Sequence, residues 1–219
     1  MEKSFKKLSL LLLAVAAVVL LIGGALGIDI IQANQNNSYR VRRAPTSIRT
    51  VVTNPTVGEI RIEGAIFERA SAAVPTEVSG WTWMRGTLIT PPGGSDATTT
   101  ATNGVNYNGR LVWISTSQLG HVAHENGNST HGVCNIVRGD TALRHAPNNG
   151  INGTVARLPN SGGSFHLIDN RVVTNGGFRW RLGTIRGTNG QVTATNGTFW
   201  GHRIMWVATS QLTNNSTCQ

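Results

Sequence analysis

Apolar and polar residues alternate in short runs along most of this chain. Trp81-Thr82-Trp83, Phe178-Arg179-Trp180 and the stretch EIRIEGAIF (59–67) carry the two-residue period of a strand with one buried face. RLVWI (110–114) and RIMWV (203–207) read as more fully buried strands. Beyond the N-terminus no stretch shows the 3.6-residue period of an amphipathic helix, so an all-β fold is expected. One segment departs from the pattern. Lys3, Lys6 and Lys7 precede an uncharged run from Leu8 to Ile28, closed by Asp29. That arrangement is an export signal in residues 1–28. Ala25 and Gly27 offer small residues for cleavage, while the length of the run, residues 8–28, also permits membrane anchoring.

The strand pattern repeats. Residues 98–119, TTTATNGVNYNGRLVWISTSQL, match residues 191–212, QVTATNGTFWGHRIMWVATSQL, without a gap and with 11 identities in 22 positions. GWTWMRGTL (80–88) resembles GFRWRLGTI (177–185), and VRRAP (41–45) resembles LRHAP (143–147). Two tandem copies of one small module are therefore expected, at 40–119 and 133–219, with the polar stretch 120–132 as a linker. Each copy closes on a hairpin signal. Tyr107 and Arg110 flank Asn108-Gly109, suited to a type I′ turn; Trp200 and Arg203 flank Gly201-His202, suited to a type II′ turn.

Charge sharpens the picture. Without residues 1–28 the 19 Lys and Arg fall by 3 to 16, and the 10 Asp and Glu fall by 1 to 9, a net charge of +7. All 16 remaining cations are Arg, the side chain suited to phosphate and carboxylate oxygens and to stacking on aromatic rings. Export makes nucleic acid an improbable partner despite this charge. Two cysteines in an exported chain are expected to pair, so Cys134 and Cys218 predict a disulfide clasping the second module.

These motifs resemble the bacterial Src-homology-3-like (SH3-type) domains of exported proteins, which open on V-R-x-x-P, carry a central Gly-Trp strand and close on an n-G-x-x-G-W-v-x-x-x-x-L hairpin. Val41, Arg42 and Pro45 match the opening in the first copy, and Leu143, Arg144 and Pro147 in the second. Gly80-Trp81 matches the central strand, with Phe178 in the second copy and Trp83 and Trp180 as alternative matches; Asn108, Gly109, Trp113, Ile114 and Leu119, and Gly201, Trp206, Val207 and Leu212, match the close. Val112 and Met205 stand where the family has Gly. The resemblance implies tandem five- to six-stranded barrels that recognise cell-wall components or extended peptides. The Gly-Trp modules of bacterial surface proteins are a related resemblance, carried by Gly80-Trp81 alone.

Ligand contact is expected from aromatic and Arg side chains near the turns: Tyr107, Arg110, Trp83, Trp200, Arg203 and Trp180. A stacked Arg-aromatic pair that only braces the hairpin is the competing account for Tyr107 with Arg110 and Trp200 with Arg203. Trp113 and Trp206 read as core, and Arg42 and Arg144 as braces of the Ala-Pro corner. His121, His124, Glu125 and His131 lie in the linker without a metal-ligand spacing, so no metal and no cofactor are expected. Neither cysteine has the setting of a catalytic thiol and the carboxylates form no distinctive pair, so no catalytic residue is assigned. The expected function is extracellular or cell-surface binding of peptidoglycan stem peptide or an anionic wall polymer. The alternatives are a peptide-binding interaction scaffold and an accessory subunit of a wall hydrolase.

Overall fold

A computed structural model describes residues 37–71, 73–125, 129, 131–148 and 154–219. The expected leader or anchor, residues 1–28, lies outside them. The described chain is predominantly β-sheet, and residues 37–219 form one compact unit. Among the described residues no helix is long and apolar enough to cross a membrane.

The first half contains β1 (Ser38–Val41), β2 (Thr46–Ile48), β3 (Gly58–Ile60), β4 (Ile66–Arg69), β5 (Thr76–Val78), β6 (Trp81–Ile89), β7 (Leu111–Ser115) and β8 (Leu119–His121). A short helix α1 (Val122–Glu125) follows. The second half contains β9 (Val133–Asn135), β10 (Thr141–Arg144), β11 (Thr154–Leu158), β12 (Ser164–Leu167), β13 (Val173–Asn175), β14 (Phe178–Arg186), helix α2 (Asn189–Val192) and β15 (Ile204–Ala208). All pairings are antiparallel. One sheet runs β5-β6-β4-β1-β8 with β7 beside β6; the other runs β11-β10-β15-β14-β12-β9 with β13 beside β14. The ribbon β2-β3 stands apart from the first sheet but is tied to β7 by the bridge Arg49↔Trp113.

The repeated stretches adopt the same local structure. In ATNG the amide of Gly104 bonds Ala101 O and that of Gly197 bonds Ala194 O, both at 2.9 Å, and both glycines hold φ of 78°. Only glycine takes that conformation without strain. TSQ forms a 3₁₀ turn in each half, Thr116–Gln118 and Thr209–Gln211. The GT pair has a packing reason: a Cβ on Gly86 would lie 2.6 Å from the Phe67 ring, and one on Gly183 would lie 2.7 Å from that of Phe165. Strand meets ring where no side chain intervenes.

Three expectations need correction. The structural partner of Arg144 is Arg49, not Arg42: Thr46 and Thr141 each donate their hydroxyl to the carbonyl three residues back, Arg43 and Arg138, and Arg49 and Arg144 face Trp113 and Trp206. TSIR (46–49) and TALR (141–144) are therefore the matching segments, and VRRAP with LRHAP is a chance likeness. Nor do the turns at 107–110 and 200–203 join hairpin strands. The positive φ falls on the second turn residue, 73° at Gly109 and 63° at His202, whereas type I′ and II′ turns need it at the first. These turns instead deliver the chain to the neighbouring long strand, with Gly109 N donating to Leu88 O and His202 N to Ile185 O. Finally, residues 120–132 are not a solvated linker throughout. Gly120 and His121 belong to β8, and His121 and His124 are 2% and 1% exposed.

Alternation along β14 and β15 explains how the halves join. Ile185, Met205 and Val207 point into a core of the second half with Phe165, Leu143 and the disulfide Cys134–Cys218. From the opposite face Trp180, Leu182, Ile204, Trp206 and Ala208 enter one apolar cluster with Tyr39, Phe67, Met84 and Ile114 of the first half. Polar contacts seal the junction: Trp206 Nε1 donates to Thr82 Oγ1 at 2.8 Å, Arg203 Nε to Ser117 O at 2.8 Å, and Thr82 N to His145 O at 3.1 Å.

Candidate functional site

The same sheet face is used differently in the two copies. Positions 180, 182, 204, 206 and 208 of the second half correspond to Trp83, Arg85, Leu111, Trp113 and Ser115 of the first. In the second half that face is buried in the shared cluster. In the first half Arg85 and Leu111 are exposed, and the face opens into a pocket of about 210 Å³ lined by Ser47, Arg49, Thr56, Trp81, Trp83, Ser115 and Gln118.

Each wall has a local cause. Trp81 and Trp83 alternate along β6 and so share a side, away from Met84 and Leu88 in the core. Arg49, just past β2, lays its guanidinium over the Trp83 ring at 4.1 Å while Nη1 donates to Val52 O at 2.8 Å. Gln118 ends the 3₁₀ turn and donates Nε2 to Pro45 O at 3.2 Å. From the second half His145 stacks on Trp81, with ring centroids 3.8 Å apart, and fixes the rim. Burial, with Arg203 and Arg43 nearby, pushes the His145 imidazole down to about 4, so it stacks as a neutral ring at pH 7.

Three polar atoms at this pocket are buried without a hydrogen-bond partner: Trp83 Nε1, Arg49 Nε and Gln118 Oε1. Two are donors and one an acceptor. Unpaired buried polar groups are uncommon in native proteins, and these three find no hydrogen-bond partner among the described residues. In the second half Trp180 Nε1 donates to Asn175 O at 3.1 Å, and Arg144 lies over the Trp180 ring at 5.1 Å. The pair recurs with both rings buried, Trp83 at 4% and Trp180 at 2% exposed, but in the second half the indole donor is satisfied internally.

The structure disperses the six side chains picked from the sequence. Trp83 lines the pocket. Tyr107 is 5% exposed, with only Arg110, over its ring at 5.7 Å, reaching solvent. Trp200 and Arg203 are 3% and 4% exposed and stack at 3.7 Å. Trp180 is core. The rings expected to meet ligand beside the turns are thus buried, because the turns lean onto β6 and β14 rather than projecting from a hairpin. The residues missed are Arg49, Trp81 and Gln118. A match of TSIR to TALR would have found Arg49, and the i, i+2 spacing of Trp81 and Trp83 already placed both on one face. Among the described residues no group of three or more His, Cys, Asp or Glu is placed to hold a metal ion. Comparison with protein-family models, curated proteins and solved structures finds no match to this chain.

Proposed function

We propose that this chain is an exported, non-catalytic binding protein of tandem SH3-like barrels that recognises bacterial wall material at the extracellular surface, with the first barrel holding the ligand and the second serving as its support. The observation that carries this reading is the tryptophan pocket with its unpaired Trp83, Arg49 and Gln118 groups. A ligand offering both carbonyl and amide groups answers two donors and an acceptor, which favours a peptide stem over a purely anionic polymer. Trp81, 38% exposed at the rim, offers ring surface for the aliphatic or sugar portions of such a ligand. The buried disulfide agrees with an oxidising compartment.

Cosedimentation with purified peptidoglycan tests the proposal. Trp83→Phe keeps an aromatic ring, though a smaller one, and removes the donor, and is expected to weaken binding about tenfold, the worth of one hydrogen bond to a desolvated group. Trp180→Phe is expected to leave binding unchanged. Equal binding by wild type and Trp83→Phe would remove the basis for the assignment.

A further inference from the structure

A second concavity lies where the halves meet and shares no lining residue with the tryptophan pocket. It has a volume of about 380 Å³ and is lined by Arg42, Arg43, Glu63, Thr198, Phe199, Gly201, His202 and Arg203. Three guanidiniums and one carboxylate give its walls a net charge of +2. Arg203 supplies the floor: it is 4% exposed, its Nε is committed to Ser117 O, its plane lies against Trp200, and its Nη2 is buried without a partner. Burial and the neighbouring Arg43 pull its guanidinium down to about 9, offset in part by Glu63, so it remains a cation at neutral pH in a place that disfavours one. The apolar wall is Phe199, 50% exposed. Its ring lies over Gly201, where any Cβ would collide with it. In the first half the corresponding residues are Asn106 and Asn108, so this wall belongs to the second copy alone.

We propose that this inter-half cleft binds an organic phosphate, with the phosphate group between Arg43 and Arg203 and its organic substituent against Phe199. A phosphate dianion balances the +2 of the walls, which a carboxylate cannot do, and guanidinium forks match its oxygens. The buried Arg203 Nη2 gains the acceptor that the chain does not provide. An exposed ring beside the cations favours a phosphate carrying a substituent over the free ion. The proposal does not rest on the peptide reading of the tryptophan pocket.

Calorimetric titration of the full chain with phenyl phosphate, inorganic phosphate and benzoate decides the matter. Phenyl phosphate is expected to bind most tightly and benzoate at least tenfold more weakly. Arg43→Gln, at an exposed position, is expected to weaken phenyl phosphate about tenfold, the scale of one charge-assisted hydrogen bond. Phe199→Ala should erase the preference for phenyl phosphate over inorganic phosphate, and Arg138→Gln, an exposed cation elsewhere, should change nothing. Arg203→Gln is not used, because its stacking on Trp200 makes folding part of the readout. No heat with phenyl phosphate, equal affinity for benzoate, or equal losses in Arg43→Gln and Arg138→Gln would each overturn the proposal; none of these bears on peptidoglycan sedimentation through Trp83.

Discussion

Acid should destabilise this fold through His124, and the size of the effect follows from its surroundings. The ring is 1% exposed, stacks on His121 at 4.2 Å between centroids, stands 5.5 Å from His166, and shares a 2.7 Å hydrogen bond between Nδ1 and Thr184 Oγ1. Burial first, then His121, His166, His131 and Arg186, pushes its imidazole from the ordinary 6.5 down to about 2. The folded state therefore stays neutral while the unfolded chain takes up a proton below pH 6.5. Stability is full above that value and falls by about 1.4 kcal/mol per pH unit as pH drops towards 2. Between pH 7 and pH 5 the loss from this residue is about 2 kcal/mol. His145, lowered to about 4, adds a similar loss over the same interval. Urea unfolding followed by tryptophan fluorescence at both pH values reads the difference. His124→Asn keeps a group for Thr184 but does not titrate, so its pH 7 to 5 decline should be about 2 kcal/mol smaller than that of wild type. A decline as steep as wild type would refute the reasoning, whatever the variant's stability at pH 7.

Trp180→Phe removes a hydrogen bond to Asn175 O and also leaves a cavity in the core, and should cost about 2 to 4 kcal/mol in urea unfolding, whereas Trp83→Phe leaves a cavity but removes an unpaired donor and should cost about 1 kcal/mol less. Reducing Cys134–Cys218, which closes a separation of 84 residues, should lower stability by about 4.5 kcal/mol in the chain-entropy model, read as the shift in urea midpoint with and without reductant. Gly86→Ala and Gly183→Ala each drive a Cβ into a phenylalanine ring and should each cost about 1 to 3 kcal/mol by thermal unfolding; a neutral result at either would contradict the close strand-to-ring contact.

The long strands β6 and β14 were legible from alternate residues, whereas EIRIEGAIF (59–67), read as one strand stretch, is divided between β3 and β4, which belong to different sheets. The second-half clasp was legible because two cysteines in a chain read as exported have one pairing to make. The identity of ATNG and TSQ in the two copies was legible, and the structure shows that each forms the same turn, held by hydrogen bonds within a few residues. Turn geometry at 107–110 and 200–203 was not, since the residues there suit several turn types. The choice among them comes from bonds to Leu88 and Ile185, distant in sequence. His121 and His124 read as polar linker residues for the same reason: their burial depends on Tyr39, Thr184 and His166, which composition does not bring together.

Sequence alone determined that the chain holds two like copies of a β-rich unit, because secondary structure and local turns depend on near neighbours. Tertiary structure decided which copy keeps its tryptophan face open. Trp83 and Trp180 occupy equivalent places on equivalent strands, yet one lines a pocket with an unanswered donor and the other is sealed in the junction. The replacement of Arg85, Leu111 and Ser115 by Leu182, Ile204 and Ala208 makes the second copy's face the more apolar. Burying that face against the first half removes apolar surface from water, and this long-range packing covers the face of one copy and leaves that of the other partly open.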